Sequence, residues 1–326
     1  MPAVRQPTRP QGGPRERPRH TAGVTKVEGA RTGGVLEGEL ERLLDLVAAG
    51  GLFVLTGAGL STDSGIPDYR GQDGVRRVMP MQYAEFRATS AARQRYWARS
   101  FIGWERFRAA VPNTGHRHVT TLQRWGLVTE LVTQNVDGLH TEAGADDVVE
   151  LHGSLAAIVC LECGERTSRV DHQRRLREAN PGFAAYLAGV VVDASQVSSQ
   201  IRPDGDIVLA DEAVTDFAMV QCLACGSDAL KPDVVFFGEA VPKARVDRCH
   251  AALEAARGVL VLGSSLAVMS GYRFVRRAAA LGKPVAIVTR GATRGDAEST
   301  VKLDAPLSST LATLITGLEA RGAGYS

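Results

Sequence analysis

A short apolar run that passes directly into a glycine pair constrains the fold of this chain most strongly. The run Leu52–Thr56 predicts a buried strand, and Gly57, Ala58 and Gly59 follow it without a break. Glycines at such a place let backbone N–H groups approach a phosphate, because no Cβ stands in the way. The ordinary dinucleotide-binding pattern has a third glycine three residues later, where this chain has Thr62. We therefore predict a nucleotide-binding α/β fold that differs from the common dehydrogenase type.

The segment that follows the glycine pair is polar and rigid. Pro67 fixes one backbone angle, and Asp68, Tyr69 and Arg70 add a carboxylate, an aromatic ring and a cation. A pyrophosphate loop that runs into such a tripeptide indicates a nucleotide held for chemistry on its ribose.

Short apolar runs alternate with helical patterns along most of the chain. The spacing predicts strands at 52–56, 127–133, 234–239, 259–262 and 284–289, and helices at 36–49, 114–125, 243–257 and 271–281. Such alternation predicts parallel βαβ units, and hence a doubly wound, Rossmann-like sheet with helices on both faces. The charged and aromatic stretch at about 72–112 predicts a helical insertion.

Several predicted strands end in small or polar residues. These ends lie at 57–61, 134–137, 263–265 and 289–291. Each alone is compatible with an ordinary turn, but ligands of open α/β sheets bind outside the carboxyl ends of the strands. We therefore expect the four ends to face one crevice.

Two Cys-x-x-Cys pairs give the strongest metal signal in the chain. Cys160 and Cys163 form the first pair and Cys222 and Cys225 the second, and each pair precedes a glycine. Four thiolates from two such turns suit a tetrahedral structural zinc ion, which leaves no open position for catalysis. Redox chemistry is the rival interpretation, and the absence of a thioredoxin-like context favours zinc. Cys249, inside a predicted helix, is interpreted as a buried and inert thiol.

Composition divides the chain into a tail and two domains. Residues 1–34 hold six Arg and one Lys against two Glu, with no apolar period, which predicts a disordered basic tail. We assign residues 35–155 and 231–320 to a discontinuous Rossmann-like domain and 156–230 to a small zinc-binding domain. An extra loop is expected at 189–200.

Charge and hydropathy limit the partners and the compartment. A net charge of +2 gives no support for a nucleic acid or membrane partner, and no apolar run approaches the roughly 20 residues that span a bilayer. With no secretory signal and paired cysteines, we expect a reducing compartment. The cytoplasm of a bacterium is the expected location, or the mitochondrial matrix if the source is eukaryotic.

Polar residues near the predicted crevice supply candidates for catalysis. His152 precedes the zinc segment at a domain junction and is interpreted either as a general base or as a structural histidine. Asn135 and Asp137 follow a strand, where they bind a carboxamide and a ribose hydroxyl or stabilise a turn. His116 and His118 point apart on a helix, so surface or capping roles are favoured over a metal pair.

In combination these residues closely resemble the sirtuin family. The resemblance covers about residues 36–318. Tyr69 before Arg70, residues 93–99 and residues 270–274 resemble the class II branch, which includes the mitochondrial sirtuin associated with lipoamidase and ADP-ribosyltransferase activity. The matching motifs are, in chain order, Gly57-Ala58-Gly59 with Ser61, Gly65 to Arg70, Gln134-Asn135-Val136-Asp137, Leu151-His152-Gly153, the two cysteine pairs, Lys231-Pro232 with Val234 to Glu239, and Gly263-Ser264-Ser265-Leu266.

The resemblance implies an NAD-dependent protein-lysine deacylase that transfers the acyl group to ADP-ribose and releases nicotinamide. NAD is then the co-substrate, one zinc ion is structural, and acylated-lysine proteins or peptides are the partners. His152 is implied as the general base, with Asn135 and Asp137 holding the nicotinamide ribose and carboxamide. The implied NAD contacts are Gly57, Ala58, Gly59, Ser61, Asp68, Tyr69, Arg70, Gln134, Asn135, Asp137, Gly263, Ser264, Ser265, Thr289, Arg290, Gly291 and Leu307, and the implied peptide contacts are Val235, Phe236, Phe237, Gly238 and Glu239.

The same residues are compatible with other functions. Mono-ADP-ribosylation of proteins, or lipoamide removal, would use the same pocket. A zinc-organised module that only senses NAD or ADP-ribose would bind nucleotide without turnover. The run 235–239 is interpreted as an edge that pairs with a substrate peptide as an added strand, or as a core strand.

Overall fold

A six-stranded parallel sheet forms the centre of the larger lobe. The computed structural model describes residues 28–68, 80–183 and 214–323, with side chains from residue 37 onward except that of residue 106. Most of the predicted tail, Tyr69, Arg70 and the predicted extra loop lie outside the described residues. The strands are β1 (Leu52–Thr56), β2 (Val128–Thr133), β3 (Val149–Glu150), β4 (Gly153–Cys160), β5 (Arg166–Ser168), β6 (Leu230–Val234), β7 (Gly258–Leu262), β8 (Val285–Val288) and β9 (Val301–Leu303).

Helices cover both faces of the larger sheet. They are α1 (Glu28–Ala48), α2 (Tyr83–Ala88), α3 (Ser90–Arg108), α4 (Thr114–Arg124), α5 (Leu139–Glu142), α6 (Arg169–Ala179), α7 (Lys243–Ala255), α8 (Met269–Ala280) and α9 (Leu307–Ala320). Apolar side chains of α1, α4 and α9 pack on one face of the sheet, and those of α7 and α8 pack on the other. Along β1, Leu52 and Val54 face the first layer, whereas Phe53 and Leu55 face the second. A strand buried on both faces reads as a continuous apolar run, which is why β1 was predictable.

The order of the strands fixes where a ligand can bind. Their order is β3-β2-β1-β7-β8-β9, and every neighbouring pair is parallel. The doubly wound Rossmann-like prediction is therefore confirmed. The direction of winding reverses between β1 and β7, and the carboxyl ends of the strands beside such a switch point form a crevice.

The first helix begins earlier than the sequence pattern predicts. The predicted disordered tail ends at residue 34 and the predicted helix starts at 36, but α1 begins at Glu28. Once a helix is nucleated, each further turn adds hydrogen bonds at little cost, and an acidic residue is favourable at the N-terminus. The glycines at 29, 33 and 34 are weak helix formers, but they do not end α1.

Among the described residues, a second sheet and three helices form the small lobe. Strands β5, β4 and β6 pair antiparallel in that order, and α2, α3 and α6 share one apolar core with them. Trp97 of α3 joins the parts, because its indole N–H donates to the carbonyl of Leu230 at 2.9 Å. The predicted helical insertion thus packs with the zinc-binding segment, whose sheet starts at Gly153 and ends at Val234 rather than at 156 and 230.

The predicted strand at 234–239 is wrong. The strand of this region is β6, which ends at Val234 and contains Pro232. Proline lacks an N–H and is confined to edges of sheets, and β6 is an edge strand. The residues after Val234 leave the sheet, and Phe237 forms a single bridge with Gln82. Within the described residues, no helix is long and apolar enough to cross a membrane.

Candidate active site

A large cleft lies between the carboxyl ends of the larger sheet and the small lobe. Its volume is about 1310 Å³. The four polar strand ends line it together, as expected from the sequence. Every predicted site residue that the structure describes outside the cysteine cluster lines this cleft: Gly57, Ala58, Gly59, Ser61, Asp68, Gln134, Asn135, Asp137, His152, Val235, Phe236, Phe237, Gly238, Glu239, Gly263, Ser264, Ser265, Thr289, Arg290, Gly291 and Leu307.

The glycines of the first loop are required by a second loop. A Cβ on Gly57 would lie 2.8 Å from Cβ of Ser264, and one on Gly59 would lie 2.8 Å from the carbonyl oxygen of Gly263. The N–H of Gly59 donates to that same oxygen at 2.8 Å. These glycines therefore let the loops after β1 and β7 touch. Glycine is needed here for packing between the loops as well as for the approach of a phosphate.

His152 lies at the junction of the two lobes and is held by its ring nitrogens. Nδ1 is 2.9 Å from the carbonyl oxygen of Gln134, and Nε2 is 2.8 Å from Oγ of Ser270. A carbonyl oxygen only accepts, so Nδ1 carries the proton and Nε2 of the neutral ring is a hydrogen-bond acceptor. Nε2 is the nitrogen that can take a proton from a group in the cleft.

The surroundings keep the ring of His152 neutral. Burial lowers its pKa to about 4; the bond to Gln134 opposes this shift, and the charges of Arg245 and Arg273 add to it. A general base must be unprotonated when it acts. At neutral pH almost all of the protein therefore has this nitrogen available.

Ser61 connects the two polar residues that follow β2. Its hydroxyl donates to Oδ2 of Asp137 at 2.7 Å and accepts from Nδ2 of Asn135 at 3.1 Å. The Asn135 amide also donates to the carbonyl of Gly57 at 3.1 Å, and Oδ1 of Asp137 accepts the N–H of Leu139 at 3.0 Å. Asp137 therefore stabilises its turn and also lines the cleft, while the binding of a ribose hydroxyl or carboxamide by this pair stays a prediction.

A pair of buried histidines lies behind this network. Nδ1 of His116 accepts the N–H of Asn113 at 3.3 Å in a capping box at the start of α4. Its Nε2 therefore faces Ser61, at 3.4 Å. The predicted capping role of His116 is confirmed, but the side chain is fully buried rather than on the surface. His140 bonds Oγ1 of Thr56 at 2.9 Å, so it ties α5 to the end of β1.

Side chains at the β7 and β8 ends complete this wall of the cleft. Oγ of Ser264 donates to Oε1 of Gln134 at 2.6 Å, which links the loops after β2 and β7. Thr289 is buried beside Leu303 of β9, and the N–H of Gly291 donates to Asp304 at 2.9 Å. The N–H of Thr289 also donates to the carbonyl of Leu303, at 3.1 Å, so these bonds fix the backbone at two of the predicted NAD contacts.

The predicted peptide-binding residues form a loop rather than a strand. Nζ of Lys231 lies 3.0 Å from Oε2 of Glu239, and the same oxygen accepts the N–H of Phe236 at 2.8 Å. Lys231 is buried, with its ammonium above the ring of Phe236. Glu239 therefore holds the loop in place from within.

The four paired cysteines come together in the small lobe. All four Sγ atoms lie within 4.8 Å of one another, with Cys160 and Cys225 at 3.6 Å and Cys163 and Cys222 at 3.7 Å. A zinc ion with Zn–S bonds of ~2.3 Å needs sulfur atoms about 3.8 Å apart. The cluster fits a structural zinc ion, which Cys160, Cys163, Cys222 and Cys225 would hold.

Comparison with known proteins places the chain in a family. A model of the Sir2 family matches residues 57–270. The chain belongs to the Sir2 family. The sirtuin resemblance drawn from the motifs is thereby confirmed, whereas its class II detail stays a prediction.

Named Sir2 relatives come from several bacteria. The protein named NAD-dependent protein deacetylase 1 of Streptomyces coelicolor is 53% identical over 85% of this chain and 89% of its own length. The protein of the same name in Mycobacterium avium is 47% identical over 85% of this chain and 94% of its own length.

Solved Sir2 structures have the same fold. A complex of Sir2 with a p53 peptide and NAD⁺ is 27% identical, with a TM-score of 0.63, and the match covers 87% of this chain and 98% of that one. A Sir2 variant with a deacetylated p53 peptide and 3′-O-acetyl ADP-ribose is 26% identical, with a TM-score of 0.65, over 85% and 97% of the two chains.

Sequence reasoning missed several residues of this Sir2 cleft. Tyr96, Ser270 and Arg273 line it, although the runs that contain them served only to indicate a branch of the sirtuins. Arg294 and Ile66 line it as well. Ile66 belongs to the motif Gly65 to Arg70, so the sequence argument could have included it. Arg294 lies several residues after the end of β8, and no sequence motif marks it.

Proposed function

We propose that this sirtuin is an NAD-dependent protein-lysine deacylase that transfers the acyl group to ADP-ribose and releases nicotinamide. The geometry of His152 carries the proposal: a neutral imidazole, with its basic nitrogen fixed, faces a cleft at the switch point of a Rossmann-like sheet. The names of the bacterial relatives support the same activity. We also propose the bacterial cytoplasm as its location, which the bacterial sources of these relatives support.

The dimensions of the cleft fit two substrates at once. Pockets for drug-sized ligands have volumes of about 300–1000 Å³, and this cleft, at about 1310 Å³, is larger. An extended dinucleotide fits along the loops after β1, β7 and β8, and an acyl-lysine side chain enters between the lobes. NAD supplies a ribose whose bond to nicotinamide is broken in the reaction.

The polar residues of the cleft have distinct roles in the proposed reaction. Nε2 of His152 accepts a proton from a ribose hydroxyl, which makes that oxygen a better nucleophile. Asn135 and Asp137 orient the nicotinamide end of NAD, and the hydroxyl of Ser61 keeps both side chains in place through its hydrogen bonds to them. The loop at 235–238 aligns the peptide, while the cysteine cluster keeps the small lobe folded and takes no part in the chemistry.

A panel of acyl-lysine peptides tests the proposal. The purified protein is expected to release nicotinamide from NAD only when an acylated peptide is present. His152→Gln should lower kcat by about 10²–10⁴, the range for loss of a general base, and should leave NAD affinity in calorimetry nearly unchanged. His118→Gln is the matched control, because His118 is half-buried on α4 and does not line the cleft.

Two outcomes would contradict the proposal. One is the absence of nicotinamide release with every acylated peptide, and the other is full activity of His152→Gln. Label from NAD that accumulates on protein, and is lost in His152→Gln, would favour mono-ADP-ribosylation instead. A lipoyl-lysine peptide in the panel examines the lipoamidase alternative and the predicted class II branch.

A further inference from the structure

Ser270 contacts the catalytic nitrogen from the side opposite to Gln134. It is the second residue of α8 and lines the cleft. Its Oγ lies 2.8 Å from Nε2 of His152, while the carbonyl oxygen of Gln134 lies 2.9 Å from Nδ1. The imidazole is therefore held at both nitrogens.

The direction of these two hydrogen bonds is determined. The carbonyl of Gln134 accepts, so Nδ1 donates and Nε2 has no proton in the neutral ring. The hydroxyl of Ser270 must then be the donor to Nε2. A donor at this position stabilises the neutral ring and fixes its plane, because protonation of Nε2 would remove the acceptor.

A glycine allows α8 to pack close to Gln134 and His152. A Cβ on Gly271 would lie 2.6 Å from Nε2 of Gln134. The missing side chain lets the first turn of the helix come close to the residue whose carbonyl holds His152. Gln134 is itself fixed by Ser264, at 2.6 Å. Two charged groups act on the ring, Arg245 from α7 and Arg273 from α8, and both are cations that disfavour its protonation.

We propose that Ser270 is a positioning residue for His152: its hydroxyl, at the wall of the cleft, donates to Nε2, fixes the plane of the ring and keeps that nitrogen unprotonated. The consequence for turnover rests on the proposed function. The consequence for the protonation of the ring does not, so the two are tested separately.

Nitrogen NMR of histidine-labelled protein tests the proposal without any turnover. The His152 signals are assigned by their loss in His152→Gln. In the unaltered protein the ring should be the Nδ1–H tautomer and should show little titration between pH 5 and 8. In Ser270→Ala its pKa should rise by up to about one unit, the shift expected from the loss of one neutral hydrogen bond. Ser270→Thr, which keeps the hydroxyl, should behave as the original.

Steady-state kinetics with an acylated peptide form the second arm. Ser270→Ala should lower kcat about 3- to 10-fold with little change in KM for NAD, and the acid limb of its kcat/KM profile should move to higher pH. Ser309→Ala is the control: Ser309 is exposed in the first turn of α9, and its hydroxyl donates to the carbonyl of Pro306 at 3.2 Å.

An unchanged pKa of His152 in Ser270→Ala, or an unchanged kcat, would overturn the proposal. If no peptide supports nicotinamide release, the proposed function fails, and the NMR arm alone still decides the role of Ser270.

Discussion

At the scale of single residues, the buried histidines differ in what they bond. His116 and His140 each have a hydrogen-bond partner. His172 of α6 has none at either nitrogen among the described residues, and its ring packs against Trp97 at a tilt of 51°, with centroids 4.2 Å apart. Burial, with the charges of Arg169 and Arg175, lowers its pKa to about 3. A buried polar ring without partners costs stability.

Replacement of this histidine should therefore stabilise the protein, and more so in acid. The pKa of His172 is about 3 in the folded chain against 6.5 when unfolded. Below pH 6.5 the unfolded chain binds the extra proton, so stability falls by about 1.4 kcal/mol per pH unit as the pH drops toward 3. His172→Phe removes the titrating group. Denaturant unfolding at pH 7.5 and 5.5 should show a larger increase in the free energy of unfolding at pH 5.5. Equal gains at both pH values in His172→Phe would contradict the argument.

Single residues also show how far the sequence could predict the site. Asn135 and Asp137 follow the apolar strand β2, and His152 stands just before the zinc-binding segment, so their places at the cleft were within reach of the sequence argument. The partners of His152 were not. Gln134 holds it with a carbonyl, which every residue has, and Ser270 is 118 positions away in the sequence. Bonds to backbone and across long separations leave no local pattern.

At the scale of elements, predictable and unpredictable segments differ in composition. Strands β1, β7 and β8 are continuous apolar runs, and their predicted bounds agree with the structure to within one residue at each end. Helix α6 reads as polar because it contains four arginines, yet Arg169, His172 and Leu176 of one face are buried. A helix whose inward face carries Arg169 and His172 shows no amphipathic period, so the small lobe was predicted from its cysteines alone. Strands β3 and β9 are too short for a pattern.

The contact between the loops after β1 and β7 leads to a prediction about glycine. In Gly57→Ala the new methyl group would press on Ser264 and the Gly263 carbonyl. We expect a loss of about 1–3 kcal/mol of stability, typical of overpacking, together with weaker NAD binding. Thermal unfolding and calorimetry measure the two effects.

A second glycine supplies the matched control for that experiment. Gly38 lies in α1 and a Cβ there meets nothing within 4 Å. Gly38→Ala should therefore raise stability by up to about 1 kcal/mol, since alanine is the better helix former, and should leave NAD affinity as it was. Effects of the same sign in both variants would refute the packing argument.

At the scale of the whole molecule, the small lobe depends on one core and one cysteine cluster. The core joins α2 and α3, which precede most of the larger sheet in the chain, with the cysteine segment, which follows β3. Arg93 of α3 pairs with Asp228, three residues after Cys225. The order of the sequence hides this association, because the two parts are far apart along the chain.

Loss of zinc should therefore disturb more than the cysteine segment. A chelator, or Cys163→Ser, should remove one zinc ion per chain and abolish the near-UV signal of Trp97 and Trp104 together with turnover. Structural zinc contributes on the order of 10 kcal/mol in small domains, so partial loss is not expected. Cys249→Ala should keep its zinc, because Cys249 is buried against the larger sheet. A metal-free protein with an intact tryptophan signal would show that the core alone suffices.

The connection between the two sheets has a mechanical consequence. His152 lies between the end of β3 at Glu150 and the start of β4 at Gly153, and its own carbonyl accepts the N–H of Val235 at 2.7 Å. Gly153 has a left-handed backbone with φ of 82°, where a Cβ would collide with the carbonyl of Asp233. The backbone of His152 is thus bonded to the segment that follows β6, while its ring is bonded to Gln134 and Ser270 of the larger lobe. A shift of one sheet against the other would therefore act on both the backbone and the ring of the proton acceptor.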